Sequence, residues 1–235
     1  MASVRIYGIL VLFMILLGNI NKVCGILERK VGDWQMIFRA RSMNGHSVIK
    51  TYMEQGVASE QTETAPGCVS INARDQCGNN YRHSMIDRWD SSGVDKVRVE
   101  LYKEGELVAH IVFNGKGSTS TSWFSQDQVL SSNWFDLKET NTEKGKHFSF
   151  LGYSNNNINR RLYINKLWAG GCRLHKGWMV VVEGVTRGQG CGYETYRSYP
   201  VFLYIPHTYA DYFDDFKSEA DVFAISVIAK RVNAV

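Results

Sequence analysis

GGCRLHKGWMVVVEGVTRGQGCGYETYRSYPVFLYIP, residues 170–206, decides how this chain is read. Met179-Val180-Val181-Val182 and Val201-Phe202-Leu203-Tyr204-Ile205 are strand-length apolar runs, β-branched and aromatic in character. Cys172 precedes the first run, and Gly188, Gly190 and Gly192 surround Cys191 before the second. Two buried strands with a cysteine in the loop on either side are the pattern of an extracellular β-domain pinned at one point.

The beginning of the chain agrees with an extracellular setting. Arg5 and the run Gly8 to Leu17 form a basic start and an apolar stretch of about ten residues, too short to span a bilayer. Val23 and Gly25 suit the −3 and −1 positions of a cleavage site. Residues 1–25 therefore read as a signal peptide and 26–235 as one secreted, unanchored β-rich domain. Cys24 leaves with the leader, and Cys68, Cys77, Cys172 and Cys191 remain. Of the three possible connectivities, Cys68–Cys77 with Cys172–Cys191 is favoured, because each closes a local loop rich in Gly and Asn. For the second pair the chain doubles back across a strand of about 23 Å at ~3.3 Å per residue, which the flanking segments can cover.

Without Arg5 and Lys22 the mature chain carries 25 basic and 23 acidic residues, with no basic block. Nucleic acid is therefore not an expected partner. There are no long acidic runs of the cation-collecting type, and no Asn-x-Ser/Thr sequon is present.

Along the chain, Trp34–Ala40 reads as a strand with Arg39 and Arg41 pointing outward, followed by an Asn44-Gly45 turn. Ser47 is placed to cap a short helix through Met53, ended by Gly56, with Val48, Tyr52 and Ile49 on its apolar face. Residues 57–80 read as a polar loop, and Tyr81–Trp89 as a helix on its Tyr81, Met85, Trp89 spacing. Val97, Val99 and Leu101 alternate with polar residues, Glu104-Gly105 turns, and Leu107, Ala109, Ile111 and Phe113 alternate back: a hairpin. Ser125–Leu130 reads as a helical turn, and the Trp123-Phe124 and Trp134-Phe135 pairs as an aromatic floor beneath a surface segment. Further strands are expected at His147–Gly152, Arg161–Leu167, Gly177–Val185, Pro200–Ile205 and Asp221–Ile228. The fold class is mainly β, a β-rich α+β domain, sandwich-like, with a few short helices.

No catalytic motif is present: no G-x-S-x-G, H-E-x-x-H or P-loop. No catalytic, cofactor or metal residue is assigned, and the chain reads as non-enzymatic. The glycines around Cys191 read as a flexible loop. The six histidines are dispersed singly. Asp211, Asp214, Asp215 and Asp221 form one acidic cluster, which reads as a solvated turn in preference to a calcium site. The candidate binding surface is Tyr-rich: Tyr193, Tyr196, Arg197 and Tyr199, continued by Tyr204, Tyr209 and Tyr212. Tyr rings present flat apolar faces with a polar tip, suited to sugars or partner proteins.

Several strings carry a resemblance: Trp34–Ala40, Phe113–Ser118 with Trp123–Ser125, Leu130–Trp134, Arg160–Asn165, Gly170–Cys172 with Gly177–Val182, and Ala220–Ile225. Together they resemble a secreted module recurring in cnidarian and molluscan extracellular proteins, over most of residues 33–228. The shared motifs are packing and turn motifs, so the resemblance implies a fold unit and a secreted setting and transfers no catalytic residue. The expected function is a structural or interaction protein of an extracellular matrix, including the organic matrix of a shell or skeleton, with matrix proteins or glycans as partners. The alternative is a lectin-like binder using the Tyr-rich stretch. An unrecognised hydrolase is a third reading, which predicts a deep pocket with shifted titratable groups.

Overall fold

The hairpin expected around Glu104-Gly105 forms, except that Leu107, beside a register shift at Leu101/Tyr102, is exposed instead of joining the buried face. In the computed structural model, β5 (Val94–Lys103) and β6 (Glu106–Asn114) pair antiparallel, with Val97 opposite Phe113, Val99 opposite Ile111 and Leu101 opposite Ala109. All six side chains are buried on one face. The connection has positive φ at both central residues, 52° at Glu104 and 87° at Gly105, the geometry whose twist matches that of the flanking strands. The structure describes residues 20–23, 26–59, 66–75, 77–140, 147–168, 171–212 and 217–230. Most of the expected leader, the polar run 60–65, Gly170, Asp214 and Asp215 lie outside them.

Strands are numbered in chain order. The first antiparallel sheet runs β1 (Ile20–Val23), β2 (Ile26–Val31), β3 (Trp34–Arg41), β15 (Val222–Ala229), β5, β6 and β7 (Val129–Ser132), with β4 (Tyr81–Arg82) beside β3. Cleavage after Gly25 would remove β1 and leave β2 at the edge. The second sheet runs β14 (Ser218–Ala220), β12 (Val201–Tyr204), β11 (Lys176–Val185), β10 (Ile158–Leu167) and β8 (Phe148–Ser149). Short strands β9 (Tyr153–Ser154) and β13 (Ala210–Asp211) extend it beside β10 and β11.

The two sheets share one core, which makes the chain a single sandwich-like domain. Phe38, Val97, Val99, Ile111, Phe113 and Phe223 come from the first sheet, and Leu162, Ile164, Met179, Val181 and Phe202 from the second. Phe202 and Phe223 meet across the interface with ring centroids 5.7 Å apart. Each such side chain contributes roughly 1.5–3 kcal/mol relative to exposure. Trp123 and Trp134 are part of this core, while Phe135 is 78% exposed. The aromatic floor is therefore core, with one ring left in solvent.

Both sheets are also covered on their outer faces, and each cover carries a disulfide. On the first sheet, Met36, Tyr102, Val222 and Ala224 pack under Val69 and the bonded Cys68–Cys77 pair. On the second, Val180, Val182, Val201 and Leu203 pack under Tyr193, Tyr212 and the bonded Cys172–Cys191 pair. Burial on both faces explains why residues 179–182 are continuously apolar instead of alternating. The two bonds also indicate an oxidising compartment. Among the described residues no helix is long and apolar enough to cross a membrane.

Several expectations need correction. The strand expected over His147–Gly152 is reduced to Phe148–Ser149. Arg39 does point away from the core, but it is fully buried: the Cys68–Cys77 loop covers it, and its Nε donates to the Ser70 carbonyl at 3.0 Å. Tyr81–Trp89 is not one helix. Tyr81 and Arg82 join β3, residues Ser84–Ile86 make a 3-10 turn, and a short helix occupies Trp89–Ser92. Arg82 ties the segment down: its guanidinium binds Asp87 at 2.5 Å and the Tyr52 carbonyl at 2.9 Å. Ser125–Leu130 is a 3-10 turn, Gln126–Gln128, running into β7. The Val48–Met53 helix does form, capped by Ser47. Its first turn is docked on the second sheet, where Glu183 accepts from the Ile49 N–H at 2.8 Å and the Ser47 hydroxyl at 2.9 Å.

Candidate functional site

The second sheet's outer face opens, beside the Cys172–Cys191 disulfide, into a cleft of about 1080 Å³. It is built where β10 ends and β11 begins. Leu167 pairs with Lys176 across that ladder, so Lys166, Trp168, His175 and Lys176 gather at one corner and line the cleft. Arg160, Tyr163 and Tyr153 come from further along β10 and from β9, and Gln189, Gly190 and Tyr209 from the covering loops.

Trp168 is the central wall. The Arg160 guanidinium lies 3.9 Å from its ring centroid, Tyr163 packs at 5.2 Å and His175 at 5.1 Å. The half-buried indole is thus held in one orientation with part of its surface in the cleft. Arg160 is itself fixed from below. Its Nε and Nη2 both donate to the carboxylate of Glu194, the second bond at 2.6 Å, and Glu194 is fully buried. Glu194 in turn accepts from the Cys191 N–H at 3.2 Å, so the same carboxylate caps the 3-10 turn Gly192–Glu194. The end of the glycine-rich segment is therefore a capped turn over Cys191–Glu194, fixed by a carboxylate three residues after the cysteine.

His175 borders the disulfide. Its Nδ1 lies 2.8 Å from the Tyr193 hydroxyl and 3.6 Å from the Cys191 sulfur. Burial, then the nearby Arg160 charge, pushes the His175 pKa below the ordinary histidine value, while Glu194 opposes this. Burial and the Glu194 charge push the Tyr193 phenol well above its ordinary value. Deeper still, the Tyr193 and Tyr212 rings stack at 5.4 Å, and the Tyr212 hydroxyl donates to Asn165 Oδ1 at 3.2 Å.

The Tyr-rich surface is distributed differently from the sequence expectation. Tyr193 is interior, at 4% exposure. Tyr199 donates its hydroxyl to the Glu194 carbonyl at 3.0 Å and accepts from the Tyr196 N–H at 3.1 Å. Tyr196 donates to Glu219. These two half-buried rings order the 192–200 loop, and of the four named residues Arg197 alone is exposed. Tyr204 and Tyr212 are buried, and only Tyr209 of the wider set reaches the cleft. Sequence reading missed Trp168, Arg160 and Glu194. The available signal was positional: a lone Trp four residues before Cys172, and a Glu three residues after Cys191.

The acidic cluster does not act as a unit among its described members. Asp211 lies 3.5 Å from Lys176, and Asp221 accepts from the Glu104 N–H at 2.7 Å in the other sheet's hairpin. Among the described residues no group of three or more His, Cys, Asp or Glu side chains is arranged to hold a metal ion. A second hollow, about 390 Å³, lies between Arg82, Asp87 and Trp89. Its main polar groups already bind one another: Asp87 takes two bonds from Arg82, which hold its carboxyl below the usual range. No protein-family model matches the chain, and no curated protein or solved structure matches it either.

Proposed function

We propose that this protein is a secreted, non-enzymatic interaction module of an extracellular matrix that holds a glycan against Trp168. The observation carrying the reading is the indole fixed by Arg160 at 3.9 Å in a cleft of about 1080 Å³. A flat aromatic face stacks on the apolar C–H face of a pyranose, and surrounding N–H donors take its hydroxyls. Asn155, Gln189, Lys166 and the Tyr153 and Tyr163 rings line the same space. The leader, the disulfides and the resemblance to secreted invertebrate modules support the matrix setting, a shell or skeletal organic matrix included.

The hydrolase reading, which predicts a deep pocket with shifted titratable groups, is weaker, although a large cleft and one shifted histidine, His175, are present. Among the described residues lining the cleft there is no Asp, Glu, Ser or Thr, and both lining cysteines are bonded to each other. Glycoside hydrolysis needs a carboxylate pair across the scissile bond, and Glu194 is buried and committed to Arg160.

Glycan-array screening of the secreted chain, followed by calorimetry on the best ligand, tests the proposal. Trp168→Ala should weaken binding at least tenfold with an unchanged fold. Absence of glycan binding, binding indifferent to Trp168, or release of reducing sugar on incubation would overturn it.

A further inference from the structure

The proposed glycan site has a charge pattern that specifies its ligand further. Three cationic side chains, Arg160, Lys166 and Lys176, and two histidines, His147 and His175, line the cleft, and no carboxylate lines it among the described residues. Among the described residues, Glu194 is buried under Arg160 and Asp211 lies 3.5 Å from Lys176. The β10–β11 register sets Lys176 opposite Leu167, so both lysines stand at the corner that carries Trp168. The Lys166 ammonium lies 6.0 Å from the Tyr209 ring centroid.

Resting on the glycan reading, we infer that the cleft selects acidic saccharides, whose ring stacks on Trp168 while a carboxylate or sulfate group sits against Lys166 and Lys176. A carboxylate or sulfate oxygen accepts only, which matches the ammonium donors of Lys166 and Lys176. The positive layer is local, because the mature chain as a whole is close to neutral. It marks a site and not a generally cationic protein.

The test uses the full secreted, disulfide-bonded chain and three polymers by calorimetry at two salt concentrations: dextran, dextran sulfate and polygalacturonate. Expected are binding of one or both acidic polymers, at least tenfold weaker binding of dextran, and loss of affinity as salt rises. Polygalacturonate binding without dextran sulfate binding assigns a carboxylate, the reverse a sulfate. The Lys166→Ala/Lys176→Ala double variant should lose at least tenfold toward the acidic polymer at an unchanged melting temperature. Lys96→Ala/Lys116→Ala, which removes the same charge from the other sheet, should bind as the native protein does. Equal binding of dextran, insensitive to the lysine pair but sensitive to Trp168→Ala, overturns the charge inference and leaves the glycan reading standing. Acidic-polymer binding that survives both the lysine pair and Trp168→Ala is generic polyanion attraction and overturns both. Should the lysine pair lower the melting temperature, Lys166→Gln/Lys176→Gln keeps side-chain bulk, and retained affinity in that variant overturns the charge inference.

Discussion

Arg160 is shared between a buried carboxylate and an aromatic wall: its guanidinium grips Glu194 on one side and lies 3.9 Å from the centroid of the Trp168 ring. One cation therefore connects the cap of the 191–194 turn, the inner end of the cleft and the orientation of the indole. Removing any part of this arrangement should be felt in the others.

Glu194→Gln leaves Arg160, at 4% exposure, without its counter-charge. Breaking one side of a buried ion pair costs on the order of 3–5 kcal/mol. Urea denaturation should show that loss, with the midpoint lowered and the slope unchanged. A loss under about 1 kcal/mol would mean that Arg160 is already solvated, contrary to the geometry.

Gly152 has φ 75°, in the left-handed region, and a Cβ there would run into the Arg160 carbonyl. Gly152→Ala combines backbone strain with a backbone clash, and should destabilise by about 2 kcal/mol or more. Because the displaced strand carries Arg160, glycan affinity should fall with it. Thermal melting and calorimetry on one sample check both parts.

The His175 shift gives a pH dependence with a definite sign. Its folded pKa is below the ordinary value of 6.5, so above that pH the ring is neutral in both states and its contribution to stability is complete. As pH falls through 6.5, the unfolded chain takes a proton that the folded chain resists, and stability declines until the folded pKa is reached. The groups around the ring are Arg160, Glu194, Tyr193 and the Cys191 sulfur. His110 is shifted the same way, by burial and Arg98, so His175→Gln should flatten the acid limb only in part. An identical stability profile from pH 7.5 to about 5 in native and variant proteins would remove this account.

Reduction of Cys172–Cys191 frees the cover of the second sheet, and should cost about 2–5 kcal/mol. Both cysteines also line the cleft, so affinity should fall together with stability. The Cys172→Ser/Cys191→Ser variant, melted beside the native chain, separates this bond from Cys68–Cys77. An unchanged melting temperature combined with lost binding would make the bond part of the binding surface and not a staple.

The hairpin at Glu104-Gly105, the Ser47 cap, the Phe202 and Phe223 strands and both disulfide pairings follow from local pattern. Alternation sets which face is buried, two positive-φ residues set the turn, and short loops favour local cysteine partners. Arg39, Arg82 and the cleft do not follow from it. A strand pattern gives the side on which a residue points, but whether that side meets water depends on a loop arriving from elsewhere, as residues 68–77 do over Arg39. Trp168 is made a wall by Arg160, which in turn is fixed by Glu194, 34 positions further along.

The stretch 170–206 shows the same division. Its own residues settle that it makes two strands joined through a disulfide-pinned loop, because β-branched runs, glycines and paired cysteines act locally. Only the tertiary structure decides that its tyrosines turn inward while Trp168 and the two lysines ring a cleft. Those positions come from the register of β10 against β11 and from covers packed on both sheet faces, and both depend on contacts between residues far apart in the chain.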